Sequence, residues 1–109
     1  MSSIHRGDVV SFRPPGNTAG HEQKGTRYGV VLQSDHATWL STVFLAPLSR
    51  GAQTAVFRPE LTFKGQRTRV LLDQLKAIDR GRLGRLAGRL SAADLREVDA
   101  ALRDVLGLV

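Results

Sequence analysis

Short apolar runs cut by proline and glycine, followed by one helical repeat, leave this chain few ways to bury a core. Asp8 to Arg13 reads as a first strand, with Val9, Val10 and Phe12 as its apolar positions. Pro14-Pro15-Gly16-Asn17 ends it, because proline lacks a ladder donor and glycine permits a turn. The nearly continuous apolar run from Tyr28 to Leu32 predicts a second, central and buried strand. Asp35 to Trp39 reads as a turn or short helical piece, and Thr42 to Ala46 as a third buried strand stopped at Pro47. A polar loop over residues 49–53 leads to a short strand at Thr54 to Phe57. A turn at Lys64-Gly65-Gln66 interrupts the segment Thr62 to Arg69. Val70 to Asp73 is another apolar strand, Leu75 to Ile78 continues extended, and Asp79 to Gly84 is a charged connector.

The clearest helix is the last. Ser91 followed three residues later by Asp94 resembles a capping box, and Leu95, Val98, Leu102, Val105 and Leu106 then share one helical face. Many short strands and one amphipathic helix predict a mainly β (α+β) fold, an antiparallel barrel with a helix packed on it. At 109 residues, the chain (1–109) is expected to form one domain, being too short for two.

The richest chemistry lies in the stretch from Asn17 to Asp35. A glycine-punctuated polar loop carrying His21, Glu22, Gln23 and Lys24 runs into Arg27 and then an apolar strand. That places a fixed cation at the rim of a sheet beside titratable groups, a layout suited to phosphate. The net charge of +6 and pI of about 11.1 favour an anionic partner, nucleic acid first and an acidic protein second. Aromatic content of 6% gives little support to a broad base-stacking surface. No cysteine occurs, which removes disulfides, thiolate metal sites and cysteine nucleophiles. The three histidines lack ligand spacing, and His5 and His36 read as surface residues, so neither a metal nor any other cofactor is expected. No apolar run approaches membrane-spanning length, and an intracellular, cytoplasmic protein without membrane contact is expected.

Five segments, taken in order, resemble one family. They are Arg6-Gly7-Asp8-Val9-Val10, the loop Thr18 to Arg27, Ala46-Pro47-Leu48-Ser49, Asp73-Gln74-Leu75-Lys76-Ala77-Ile78, and Gly88-Arg89-Leu90-Ser91 before the helix. Each is weak alone. Their order and spacing are similar to those of the MazF/PemK toxins, ribosome-independent mRNA-cleaving endoribonucleases of bacterial toxin–antitoxin pairs. The resemblance implies a small SH3-like barrel with a C-terminal helix, a homodimer binding single-stranded RNA across a basic groove, and restraint by an acidic antitoxin. It also implies metal-independent cleavage leaving a 2′,3′-cyclic phosphate and a 5′-hydroxyl end. Two positions depart from the family: Tyr28-Gly29 follows Arg27 where proline is common, and Leu71 stands where PemK-type members carry a catalytic arginine.

Carried onto this chain, the resemblance implies that Arg27 stabilises phosphoryl charge and that the Ser49 hydroxyl orients the 2′-hydroxyl or a phosphoryl oxygen. Arginine suits the first role because its planar fork matches phosphate, while it shuttles protons poorly. His21 has the acid–base character to serve the leaving group. Glu22 is open between acting as base and reading a nucleobase edge. Asp73 matches the PemK carboxylate and is open between catalysis and bracing its strand. Gln23, Lys24 and Thr26 complete the substrate-contacting candidates of the first loop. Arg50, Arg58 and Arg69 are those of the second loop and the strand beyond. Two other readings stand beside the nuclease: a CcdB-like gyrase-directed toxin, and a non-catalytic RNA-binding barrel.

Overall fold

The apolar runs become strands of one curled antiparallel sheet. The structure is a computed structural model that describes residues 3–14, 26–37 and 39–108. The loop side chains His21, Glu22, Gln23 and Lys24 lie outside the described residues. Among the described residues the elements run β1 (Asp8–Phe12), β2 (Arg27–Val31), β3 (Thr42–Ser49), β4 (Glu60–Phe63), β5 (Gln66–Val70), β6 (Lys76–Asp79), β7 (Leu83–Arg89) and α1 (Ala92–Leu106). The strand order is β4-β5-β3-β2-β1-β7, with β6 paired to β3 outside that path. Curled into a half-barrel with one C-terminal helix, this is the mainly β architecture that the pattern of runs predicts.

The runs are continuous because the sheet is buried on both faces. Successive strand residues point to opposite sides, so a strand covered on both needs apolar residues at every position. Val10, Phe12, Val31, Val43, Leu45 and Ile78 gather in one cluster with Ile4. Val9, Val30, Leu32, Ala46, Val70 and Leu72 gather in the other, against Val98 and Ala101 of α1. Adjacent pairs such as Val9/Val10 and Val30/Val31 thus divide between two cores. The helix begins as the sequence predicts: the Ser91 side chain accepts from the Asp94 amide at 3.0 Å. Leu106 corrects the predicted apolar face, being 53% exposed. It lies about 80° around the helix from Val98, at the margin of the buried stripe.

The Arg6-Gly7-Asp8 segment acts as a structural clasp. Arg6 donates to the Leu32 carbonyl at 2.8 Å and to Asp99 of α1 at 2.7 Å, tying the helix to the end of β2. Asp8 is buried, accepts from the His5 amide at 2.8 Å, and pairs with Arg89 of β7 at 3.0 Å. A buried carboxylate needs such partners.

Four expectations are corrected. First, β3 runs through Pro47 to Ser49 instead of stopping at the proline. Thr42 to Leu45 pair with β6, whereas Leu48 and Ser49 pair with β5, so Pro47 falls at the seam where a missing donor breaks no ladder. Second, Thr54 to Phe57 is not a strand. The Arg58 amide donates to the Ala55 carbonyl at 3.0 Å, closing a local turn that uses the backbone a strand would offer. Third, the charged connector is a 3₁₀ turn, Arg80–Arg82, leading into β7, a strand that the apolar pattern does not reveal. Irregular pairing with β1 holds it, and the Ser11 hydroxyl accepts from the Arg85 amide at 2.9 Å. Any side chain at Gly84 would collide with that hydroxyl. Fourth, Val70 to Asp73 is not a strand throughout: β5 ends at Val70 and Leu72–Gln74 is a 3₁₀ turn, the Gln74 amide donating to the Leu71 carbonyl at 3.0 Å. Elsewhere, Asp35–Ala37 is a 3₁₀ turn and the Lys64-Gly65 hairpin turn joins β4 to β5, both where the sequence places them.

Candidate active site

The β2–β3 ladder ends with Gly29 opposite Pro47. Beyond that rung a groove of about 650 Å³ opens between Thr26, Arg27 and Tyr28 on one side and Leu48, Ser49 and Arg50 on the other. Each side chain there has a local cause. Arg27 is the first residue of β2 and stands opposite Phe12 of β1, so the rigid sheet fixes its backbone while the side chain is exposed. Ser49 is the last residue of β3 and is held opposite Arg69 of β5. Phe63 and Thr68 come from the β4–β5 hairpin, Gln74 ends the 3₁₀ turn Leu72–Gln74, and Lys76 opens β6 just after it.

Arg27, Ser49, Thr26 and Arg50 are therefore brought together as the sequence predicts. Arg58, Arg69 and Asp73 do not line the groove. Arg58 grips Asp73 through two hydrogen bonds, Nε to Oδ1 at 3.0 Å and Nη2 to Oδ2 at 2.8 Å. The Arg58 hydrogen bonds hold the Asp73 carboxyl below the usual carboxylate range, against the opposing push of burial. The same contact raises Arg58 above its ordinary value. Arg69 reaches Glu60 at 3.0 Å and the Arg58 carbonyl at 3.1 Å. These cations brace the hairpin and the loop before it.

Lys76 and Gln74 were not singled out from sequence. Their signal in the sequence is their place beside Asp73 in the Asp73-Gln74-Leu75-Lys76 segment, which supplies two residues of the groove wall. The described lining contains Arg27, Arg50 and Lys76 and no carboxylate. Such a wall attracts an anion and, with the Ser49 hydroxyl, offers donors to phosphoryl oxygens. Among the described residues, no three His, Asp or Glu side chains gather in a way that could hold a metal ion.

Fold and groove together define a small β-rich protein with a cationic cleft at the open end of its sheet. The chain belongs to the PemK-like, MazF-like toxins of type II toxin–antitoxin systems, whose family model matches residues 5–106. It is 32% identical over 114 aligned residues to the endoribonuclease MazF of Staphylococcus epidermidis, covering 96% of this chain and 92% of that one. A protein named as a toxin in Mycobacterium tuberculosis is 51% identical over 59 residues, a match spanning 54% of this chain and 55% of that one. Among solved structures, MazF of Deinococcus radiodurans superposes with a TM-score of 0.78 at 26% identity, covering 99% of this chain and 100% of that one. A mycobacterial endoribonuclease in complex with its cognate antitoxin shares the fold, with a TM-score of 0.80 at 17% identity and 98% coverage of both chains.

Proposed function

We propose that this toxin is a sequence-specific, metal-independent endoribonuclease that cuts single-stranded mRNA, residues 1–109 acting as one domain. The observation that carries the reading is the meeting of Arg27 and Ser49 in a groove whose described walls hold Arg50 and Lys76 and no carboxylate. The endoribonuclease relative from Staphylococcus epidermidis supports it over nearly its whole length.

In this reaction the 2′-oxygen forms a bond to phosphorus as the bond from phosphorus to the 5′-oxygen breaks. The 2′-hydroxyl loses its proton to a base and the departing 5′-oxygen gains one, leaving a 2′,3′-cyclic phosphate and a 5′-hydroxyl. Arg27 takes the charge developing on the phosphoryl oxygens, with Lys76 and Arg50 beside it. Ser49 donates to a phosphoryl oxygen or aligns the 2′-hydroxyl. His21 and Glu22 are assigned the proton transfers on chemical grounds. Gln23, Lys24 and Thr26 contact the bases, since RNA sequence is read mainly in single strands. Asp73, Arg58 and Arg69 act by holding the groove's frame.

An acidic antitoxin segment would compete with RNA for the same cations. Solved MazE–MazF complexes of Deinococcus radiodurans set the precedent for such a partner. The working form is taken to be a homodimer in the cytoplasm. Among the described residues no helix is long and apolar enough to cross a membrane.

The deciding experiment incubates a long RNA in EDTA with wild type or Arg27→Ala and maps the ends. Discrete cuts with 5′-hydroxyl and cyclic-phosphate ends, lost in the variant, are expected. RNA left intact by a protein that still binds it would replace the nuclease with a non-catalytic RNA-binding barrel. Gyrase-linked DNA breakage without RNA cleavage would select the CcdB-like activity.

A further inference from the structure

Aromatic side chains are scarce in this chain, and half of them meet in one place. Of its six (one Trp, one Tyr and four Phe), Phe12, Tyr28 and Phe63 all line the groove. Tyr28 and Phe63 meet edge to face, their centroids 5.1 Å apart and their planes at 65°. Tyr28 comes from β2, next to Arg27, while Phe63 ends β4, so strands remote in sequence build the pair. Lys64 lies over both rings, its ammonium 5.1 Å from the Tyr28 centroid and 5.7 Å from that of Phe63. It sits at the hairpin turn with φ of 53°, a conformation that a lysine rarely adopts.

Both rings are half-buried against the cluster around Val9 and Val30 and also line the groove. Core packing alone has no use for a cation across their faces. Single-stranded nucleic acid uses both: bases stack on rings, and cations follow the backbone between them. We propose that Tyr28 and Phe63 form a stacking platform for the nucleobase adjoining the scissile phosphate, and that Lys64 passes from the ring faces to that nucleotide's phosphate. The assignment rests on the nuclease reading above and gives its site a base-holding wall. An ammonium over rings on an exposed turn is weakly held, so a phosphate draws it away readily. Every base has a π face, so the platform adds affinity and positions the strand, leaving the choice of sequence to other contacts. Tyr28 and Phe63 are positioning residues in this scheme.

The test uses two versions of one single-stranded oligonucleotide, carrying 2-aminopurine at successive positions. One is all-ribose, and the other has 2′-deoxy sugars throughout and cannot be cut. Wild type should quench the fluorophore at one position on the uncut strand. Tyr28→Leu and Phe63→Leu should abolish that quench and weaken binding about 10- to 100-fold. On the ribose strand their KM rises by a similar factor, while kcat at saturation is retained. Tyr28→Phe should restore both readouts. Lys64→Gln should lower the slope of log Kd against log salt by about 0.7. Thermal melts identify folded variants, and Lys64→Gln, which removes no core contact, carries the test should either leucine variant unfold. Quench and affinity unchanged in folded Leu variants, or no quench at any position by wild type, overturn the platform. Absence of any cut in the long RNA overturns the nuclease, a separate readout from the quench.

Discussion

Arg58 and Asp73 form a bidentate pair at 3.0 and 2.8 Å that ties the loop after β3 to the 3₁₀ turn preceding Lys76. The pair explains how a basic residue and a carboxylate, each a sequence candidate for chemistry, act together as a brace. Gln74 and Lys76 project into the groove from the segment that this brace steadies. A fork-to-carboxylate contact fixes orientation as well as distance.

Acid should therefore weaken the fold in part through Asp73. Its folded carboxyl titrates below the unfolded value, so the unfolded chain binds more protons in the acid range. The stabilisation is full above about pH 4 and is lost as pH falls through the lower, folded value. Melting temperature followed from pH 7 to pH 2 should show a shallower acid limb in Asp73→Asn, which also melts lower than wild type at neutral pH.

Removing the central cation should hurt turnover more than binding. Arg27→Ala is expected to reduce kcat about 10²- to 10³-fold, the scale of losing one preorganised donor to developing charge. Arg27→Lys should recover only part of this, because an ammonium cannot match two oxygens in a plane. Single-turnover cleavage with mapped ends measures both.

Lys76 and Arg50 should instead tune affinity. Changing either to glutamine should raise Kd for single-stranded RNA and cut the salt slope by about 0.7 per lost phosphate contact. Titrations at several salt concentrations provide the check.

Gly29 leaves little room for a side chain. A Cβ there would lie 3.2 Å from the Ala46 carbonyl oxygen and 3.3 Å from Phe12 Cε1. Gly29→Val should destabilise the protein by about 1–3 kcal/mol through overpacking, measured by urea unfolding. Leu72→Ala, which empties a buried site beneath α1, should cost about 2–5 kcal/mol in the same assay.

The sequence revealed most of the fold where burial dictates residue type. Val30 and Val31 announce a central strand because each fills a different core, and Ser91 with Asp94 announces the helix because its first turn needs a cap. β7 stayed hidden because Leu-Gly-Arg-Leu-Ala-Gly-Arg has no β-branched residue, and its extended form comes from distant pairing with β1. Thr54 to Phe57 misled in the opposite sense, with strand-like composition around a local turn. At the site, Arg27 and Ser49 were legible through the order of motifs along the chain. The meeting of Tyr28 with Phe63 was not, since it depends on how the hairpin hangs from β3. Nor could the chain alone show that Arg58 is engaged by Asp73, because ion pairs between distant segments leave no periodic trace.

The β4–β5 hairpin joins β3 through two rungs, Leu48 with Val70 and Ser49 with Arg69. The second rung holds Ser49, which lines the groove. Fraying of that short attachment would dismantle one wall of the cleft while β1, β2 and the rest of β3 stayed folded. Loss of that wall would end catalysis while leaving most of the sheet paired. A binding partner that prised the hairpin away would silence the enzyme without denaturing it, and one that clamped it would keep the enzyme armed.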